Sequence, residues 1–288
     1  MGIKSKIRLI IKKIVRLLQR EKKVPIYIPI LKGSMLENKT VLITGGAGGI
    51  GIAIAYGCLM NGADIILAGR NENKLLDARE YLCKNSCNED NVSILVLDIT
   101  KTGEIKKKLE EACQKTNNKK IDILINNAGV AAGDSIGQTS EFDYDKTLST
   151  NLKGTYFLSQ EFSNYLIENK IQGNILNVSS ASGIRPAITP YMISKWGITG
   201  LTEGLAKKLI KNDIVVNGIA PGPTATDMLN LDGTDLMYNN SPAKRYADPV
   251  EIANLAVFLI SSLGRMIIGE TVYITGGCGT LTLDDIEY

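Results

Sequence analysis

From residue 39 onward, short apolar runs alternate with longer helical patterns, and this alternation constrains the fold more than any other feature. The apolar runs are Val41-Leu42-Ile43, Asp64 to Ala68, Val92 to Leu97, Ile121 to Ile125, Asn174 to Val178, Ile214 to Ile219 and Thr271 to Ile274. Helical spacing fills 50–61, 72–84, 101–116, 143–169, 190–211 and 248–262. Strands joined through helices must run parallel, and a parallel sheet hides both of its faces, which is why its strands read as near-continuous apolar runs. The expectation is an α/β fold with a doubly wound parallel sheet of about seven strands, helices on both faces and one domain over 39–288. Residues 25–38, with Pro25 and Pro29, read as an extended linker, and 1–24 as a separate basic helix.

Composition narrows the chemistry. The chain of 288 residues contains no histidine. That excludes Ser-His-Asp and Cys-His hydrolases, His-ligated metal sites and an imidazole base, and no metal site is expected. Proton transfer falls to Tyr, Lys, Asp, Glu or Cys.

Thr44-Gly45-Gly46-Ala47-Gly48-Gly49-Ile50-Gly51 follows the first strand and opens the first helix. Glycine permits the sharp turn and lets a pyrophosphate approach the helix N-terminus, where free N–H groups favour anions. Strand, glycine loop and helix together indicate a Rossmann-like dinucleotide site. Because Gly48 and Gly49 are both glycine, the loop satisfies both Thr-Gly-x-x-x-Gly-x-Gly and Thr-Gly-x-x-Gly-x-x-Gly. At the end of the second strand an NAD site often carries an acid for the ribose 2′-hydroxyl; this chain has Ala68-Gly69-Arg70-Asn71 instead. A guanidinium suits a 2′-phosphate, so Arg70 favours NADP(H) over NAD(H).

Further along stand Asn126-Asn127-Ala128-Gly129, Asn151 in a long helix, Ser179-Ser180 after the fifth strand, Tyr191-x-x-x-Lys195, and Pro221-Gly222 after the sixth. In this order, with the glycine loop, the chain resembles the classical short-chain dehydrogenase/reductase family over roughly residues 38–279. The resemblance resolves the glycine-loop ambiguity toward the first pattern. It implies an NADP-dependent oxidoreductase that exchanges hydride at a ketone or secondary alcohol, with Asn151, Ser180, Tyr191 and Lys195 as the catalytic set. Lys195 lies one helical turn beyond Tyr191, so both point to the same side, and a nearby ammonium lowers a phenol's pKa from its usual value of about 10. The family likeness assigns Lys195 to the nicotinamide ribose, Ser180 to the substrate oxygen, and Asn151 to a water link between Lys195 and solvent. Ser180 precedes Tyr191 by 11 residues, where the family commonly has about 13, so Ser179 and Ser182 stay open as alternatives.

The resemblance further implies a cofactor set of Thr44, Gly45, Ala47, Gly49, Ile50, Gly51, Arg70, Asp98, Ile99, Asn127, Ala128, Gly129, Tyr191, Lys195, Pro221, Gly222, Thr224 and Thr226. In it Asp98 meets the adenine and Thr226 the carboxamide or phosphate. Asn126 is assigned to the central sheet. The stretch 227–247 has weak periodicity and reads as a substrate lid. Thr275 stands where the family usually has Asp. Two other readings stay open: a nucleotide-sugar epimerase or dehydratase, and a non-catalytic NADP-binding scaffold.

The net charge of +3 is the sum of unlike parts. Residues 1–24 carry +8 and the remainder −5. An acidic body disfavours nucleic acid. In the first segment Ile3, Ile7, Ile10, Ile11, Ile14, Val15, Leu17 and Leu18 share one helical face, opposite Arg8, Lys12, Lys13, Arg16 and Arg20. Such a helix suits an anionic membrane surface or packs on protein; it is too polar to span a bilayer. Met1-Gly2-Ile3-Lys4-Ser5-Lys6 narrowly misses a myristoylation signal. Five cysteines without Cys-x-x-Cys spacing read as reduced. The expected setting is cytoplasmic, with peripheral contact at the inner face of the membrane. The expected partners are a small carbonyl or alcohol substrate and a second copy of the chain, as a homodimer or homotetramer through the helices near 143–169 and 190–211.

Overall fold

A computed structural model describes residues 28–86, 91–116, 118–226, 236, 238 and 241–281. The basic segment 1–24 and most of the expected lid, 227–235, lie outside the described residues. Seven strands are present among them: β1 (Thr40–Thr44), β2 (Asp64–Gly69), β3 (Val92–Val96), β4 (Ile123–Asn126), β5 (Asn174–Val178), β6 (Val215–Pro221) and β7 (Thr271–Ile274). They form one parallel sheet in the order β3-β2-β1-β4-β5-β6-β7. The chain leaves β3 at one edge and returns to the centre at β4. Strand order therefore reverses between β1 and β4, and a crevice opens above their C-terminal ends.

The helices are α1 (Gly49–Leu59), α2 (Glu72–Ser86), α3 (Ile105–Gln114), α4 (Glu141–Leu148), α5 (Thr155–Glu168), α6 (Pro190–Leu209) and α7 (Pro249–Ile260). Successive strand residues alternate between the two faces. Val41 and Ile43 enter a core with Ile54, Leu75 and Val257 of α1, α2 and α7. Leu42 enters the opposite core with Leu109, Phe162 and Leu209 of α3, α5 and α6.

Local chemistry sets the helix starts. The Ser140 hydroxyl accepts from the Asp143 amide at 3.1 Å and opens α4. The Thr189 hydroxyl accepts from the Met192 amide at 3.2 Å, and Pro190 occupies the first turn of α6, where its missing N–H costs nothing. Asp248 and Glu251 form a reciprocal capping box at α7.

Two sequence expectations change. The single helix over 143–169 is interrupted by a π-helical segment, Ser149–Gly154, which joins α4 to α5. Such wide turns collect at functional sites, and this one holds Asn151. Residues 28–38, read as part of a linker, are bound to the body: Asn254 accepts from the Leu31 amide at 2.9 Å and donates to the Pro29 carbonyl at 2.9 Å, while Asn61 donates to the Leu31 carbonyl at 2.8 Å. Leu36 is fully buried in the α1–α7 core. Among the described residues, no helix is long and apolar enough to cross a membrane.

Candidate active site

Thr44 ties the glycine loop to the centre of the sheet. Its hydroxyl accepts from the Asn127 and Ala128 amides, each at 3.1 Å, and donates to the Ile125 carbonyl at 3.3 Å. The Asn127 side-chain amide donates to the carbonyls of Thr44 and Gly45, each at 3.0 Å. The loop therefore closes against β4 so tightly that a Cβ on Gly51 would strike the Gly45 carbonyl. Gly45 also has φ +62, a conformation suited to glycine. A Cβ on Gly49 would meet the Thr226 side chain at 2.8 Å, so the β6 loop packs directly on the glycine loop.

Above these elements lies a cleft of about 1010 Å³. Every residue of the sequence-derived cofactor set lines it, from Thr44, Gly45, Ala47, Gly49, Ile50 and Gly51 through Arg70, Asp98, Ile99, Asn127, Ala128 and Gly129 to Pro221, Gly222, Thr224 and Thr226. Ser180, Tyr191 and Lys195 line it as well. A dinucleotide needs such a shape: small residues under the pyrophosphate, a helix N-terminus facing it, and room for a substrate beyond. Asp98 spends one oxygen on its own turn, accepting from the Thr100 amide at 3.0 Å and hydroxyl at 2.7 Å.

At the β5 and α6 end, the Ser180 hydroxyl hydrogen-bonds with the Tyr191 phenol and accepts from the Ser182 amide at 3.1 Å. Ser179 is used elsewhere, its hydroxyl donating to the Lys195 carbonyl at 3.0 Å. The geometry thus favours Ser180 over Ser179 as the hydroxyl beside the phenol. Lys195 is buried, and its ammonium donates to the Val178 carbonyl at 2.8 Å. Burial lowers its pKa to about 8. The sequence reading expected the ammonium to pull the Tyr191 pKa down. In this structure burial raises the Tyr191 pKa, and the Ser180 hydrogen bond only partly opposes it. The phenol therefore starts in its neutral, proton-donating form.

Asn151 is the one catalytic candidate that does not line the cleft. Its side chain is buried behind Gly129, where it accepts from the Val130 amide at 2.8 Å and donates to the Val130 carbonyl at 2.9 Å and the Ser194 hydroxyl at 3.0 Å. A Cβ at Gly129 would lie 3.5 Å from the Asn151 carboxamide oxygen and 3.7 Å from Lys195 Nζ, so both groups flank this glycine. These bonds clamp the π-helical segment to the β4 loop and to α6. Asn126 donates to Ser159 at 2.9 Å and Asn177 at 2.8 Å, a bridge across the central strands. The Thr275 hydroxyl accepts from the Gly277 amide at 3.1 Å within the terminal turn.

Two charged lining residues escaped sequence reasoning. Lys74 lines the cleft along with Arg70 and Asn71, and Arg185 lines it along with Ser182 and Tyr191. Lys74 had a readable signal, since it lies four residues after Arg70 at the start of a helix. Arg185 had none, because its loop matches no periodic pattern.

The family model of short chain dehydrogenases matches residues 39–236. The chain is 33% identical to 3-oxoacyl-(acyl-carrier-protein) reductase FabG of Rickettsia felis over 247 residues, covering 84% of this chain and 97% of the relative. It is 31% identical to acetoacetyl-CoA reductase of Acinetobacter over 250 residues, covering 84% and 98%. Among solved structures, 3-ketoacyl-(acyl-carrier-protein) reductase from Brucella melitensis complexed with NADH matches with a TM-score of 0.76 at 26% identity, covering 84% of this chain and 98% of that one.

Proposed function

The chain belongs to the short chain dehydrogenase family, is an oxidoreductase acting on ketone and alcohol groups, and on that premise we propose that it uses NADPH to reduce the ketone of a 3-oxoacyl thioester, with Tyr191 as the acid. The observation that carries this reading is the meeting of Ser180, Tyr191 and Lys195 at one end of a cleft whose other end is the glycine loop. The relatives at 31–33% identity bear the names of ketoacyl reductases, which favours this substrate class over a nucleotide sugar.

When bound, the nicotinamide supplies a hydride to the carbonyl carbon. The chain's own residues handle the oxygen and the proton. As negative charge grows on the oxygen, the Tyr191 O–H gives up its proton to it, and the Ser180 hydroxyl donates a hydrogen bond to the same oxygen. The tyrosinate left behind gains from the nearby Lys195 ammonium, whose charge matters most at that moment. Water then returns a proton to Tyr191. Asn151 acts as a positioning residue by holding Val130 and Ser194.

Preference for NADPH is assigned to Arg70, just after β2, together with Lys74 in the first turn of α2. Self-association is assigned to α4, α5 and α6, where Leu152, Tyr156, Phe157 and Leu201 line an apolar groove and Trp196 is half exposed. Residues 28–33 are held between α1 and α7, on the opposite side of the sheet. The basic segment before them is assigned to peripheral contact with an anionic membrane from the cytoplasmic side, which co-sedimentation with anionic vesicles tests.

The deciding experiment follows NADPH and NADH oxidation in parallel with acetoacetyl-CoA and a panel of simple ketones. Turnover with NADPH supports the reading. Tight NADPH binding without turnover of any ketone overturns it.

A further inference from the structure

Three consecutive residues at the end of β5 hold the catalytic turn of α6 at three different atoms. The Val178 carbonyl accepts from the Lys195 ammonium at 2.8 Å. The Ser179 hydroxyl donates to the Lys195 backbone carbonyl at 3.0 Å. The Ser180 hydroxyl hydrogen-bonds with the Tyr191 phenol. The first and third contacts touch the reacting groups themselves, whereas the second touches only backbone. We propose that Ser179 is a positioning residue for the reduction: its bond to the Lys195 carbonyl sets α6 against β5 at the height where Ser180 reaches Tyr191 and Val178 reaches Lys195 together. This rests on the reading of the site as a ketone reductase with Tyr191 as the acid.

Ser179 is placed for this task and not for contact with a substrate. It is only 3% exposed. Its amide donates to the Ile219 carbonyl of β6 at 2.7 Å, so its backbone belongs to the sheet and does not follow the helix. The Lys195 carbonyl has a second side-chain partner, the Thr199 hydroxyl at 3.2 Å. Thr199 sits on α6 itself, so its bond cannot locate the helix relative to the sheet. Asn177 of β5 also grips α6, donating to the Thr202 hydroxyl at 2.9 Å, but about two turns beyond Lys195. Ser179 is therefore the grip at the catalytic turn.

The cluster is closely packed. Ser179 Oγ lies 3.2 Å from Thr199 Oγ1. A Cβ on Gly183 would stand 3.0 Å from the Lys195 carbonyl oxygen, 3.0 Å from Ser179 Oγ and 3.2 Å from Thr199 Oγ1, all tighter than ordinary contact. Tyr191 lies one helical turn before Lys195, so a shift of the helix at the Lys195 carbonyl moves both reacting groups. A displacement of about 1 Å would stretch the 2.8 Å bond from Lys195 to Val178 beyond hydrogen-bonding range. Misplacement on that scale can cost about 10²-fold in rate.

The test follows ketone reduction by NADPH in Ser179→Ala, in Ser179→Thr, and in Ser179→Ala combined with Tyr191→Phe. Ser179→Ala is expected to lower kcat about tenfold or more while the ketone KM changes by less than about threefold. Ser179→Thr keeps the hydroxyl and is expected to recover most of the loss. On top of Tyr191→Phe, the same Ser179→Ala change is expected to cost less than about twofold, because no phenol is left to place. A general structural defect would lower both backgrounds by one factor. Equal losses in the two backgrounds overturn the proposal, as does a kcat within about twofold of wild type in Ser179→Ala. If Ser179→Ala does not fold, Gly183→Ala presses on the same cluster without removing a hydrogen bond: a lowered kcat supports the proposal and an unchanged one overturns it. If wild type reduces no ketone, the reductase reading fails by itself, and NMR titration of isotope-labelled lysine decides the role of Ser179. Lys195 titrates near 8, below the ordinary lysine value of 10.5. A midpoint moved in Ser179→Ala and restored in Ser179→Thr supports the anchoring, and an unmoved midpoint overturns it.

Discussion

The Lys195 ammonium stands 5.5 Å from the centre of the Tyr191 ring while donating to the Val178 carbonyl. The backbone of β5 therefore anchors the cation, and the phenol oxygen stays available to Ser180 and to a substrate. Replacing Tyr191 by Phe removes the proton donor and keeps the ring. Ketone reduction in Tyr191→Phe is expected to fall by about 10²–10⁴-fold in kcat, while NADPH affinity measured by fluorescence titration changes by less than about threefold. Full turnover in this variant would remove Tyr191 from the mechanism.

Burial of Lys195 makes a stability prediction with a definite sign. Its pKa falls from the ordinary 10.5 to about 8 in the folded protein. Between those values the unfolded chain binds more protons, so the penalty for burying the charge shrinks as pH rises through the window. Lys195→Met is expected to be more stable than wild type at pH 7 by about 1–3 kcal/mol, an advantage that narrows steadily from pH 8 to 10.5. Urea denaturation of both proteins across this range checks it. An advantage independent of pH would mean that Lys195 is not held at a lowered pKa.

Arg70, in the β2–α2 connection, and Lys74, in the first turn of α2, both line the cleft. If they hold a 2′-phosphate, removing either should cost kcat/KM with NADPH by about tenfold and leave NADH nearly unchanged. Steady-state kinetics of Arg70→Ala and Lys74→Ala with both cofactors measures this. Equal losses for the two cofactors would show a structural defect instead of phosphate recognition.

Asn151 bridges the π-helical segment to the β4 loop through both groups of its carboxamide. Asn151→Ala leaves the Val130 amide and carbonyl without that partner. The expected loss of stability is about 1–3 kcal/mol, read as a lower urea midpoint. A midpoint equal to wild type would indicate that water replaces the side chain.

Much of the fold is legible in the residues because it depends on local rules. Seven apolar runs alternating with helical spacing leave few arrangements besides a parallel sheet covered on both faces, and the caps Thr189-Pro190 and Asp248–Glu251 mark helix starts within a residue or two. The glycine loop, Tyr191 and Lys195 carry signals in their spacing, since one helical turn must place the last two on the same side. Asn151 did not yield its partners, because a π-turn inside an otherwise helical stretch leaves no mark on periodicity.

What the sequence determined by itself is therefore the sheet, its helices and the identity of the residues gathered at the β1–β4 crevice. Tertiary structure alone decided their protonation and their neighbours. Whether Tyr191 is held neutral or ionised depends on how much water its pocket excludes against how near Lys195 lies, and burial prevails here. Arg185 lines the cleft with its guanidinium against Gly279 of the terminal turn, 94 residues later. Desolvation and long-range contact are sums over the folded chain, so no window of neighbouring residues contains them.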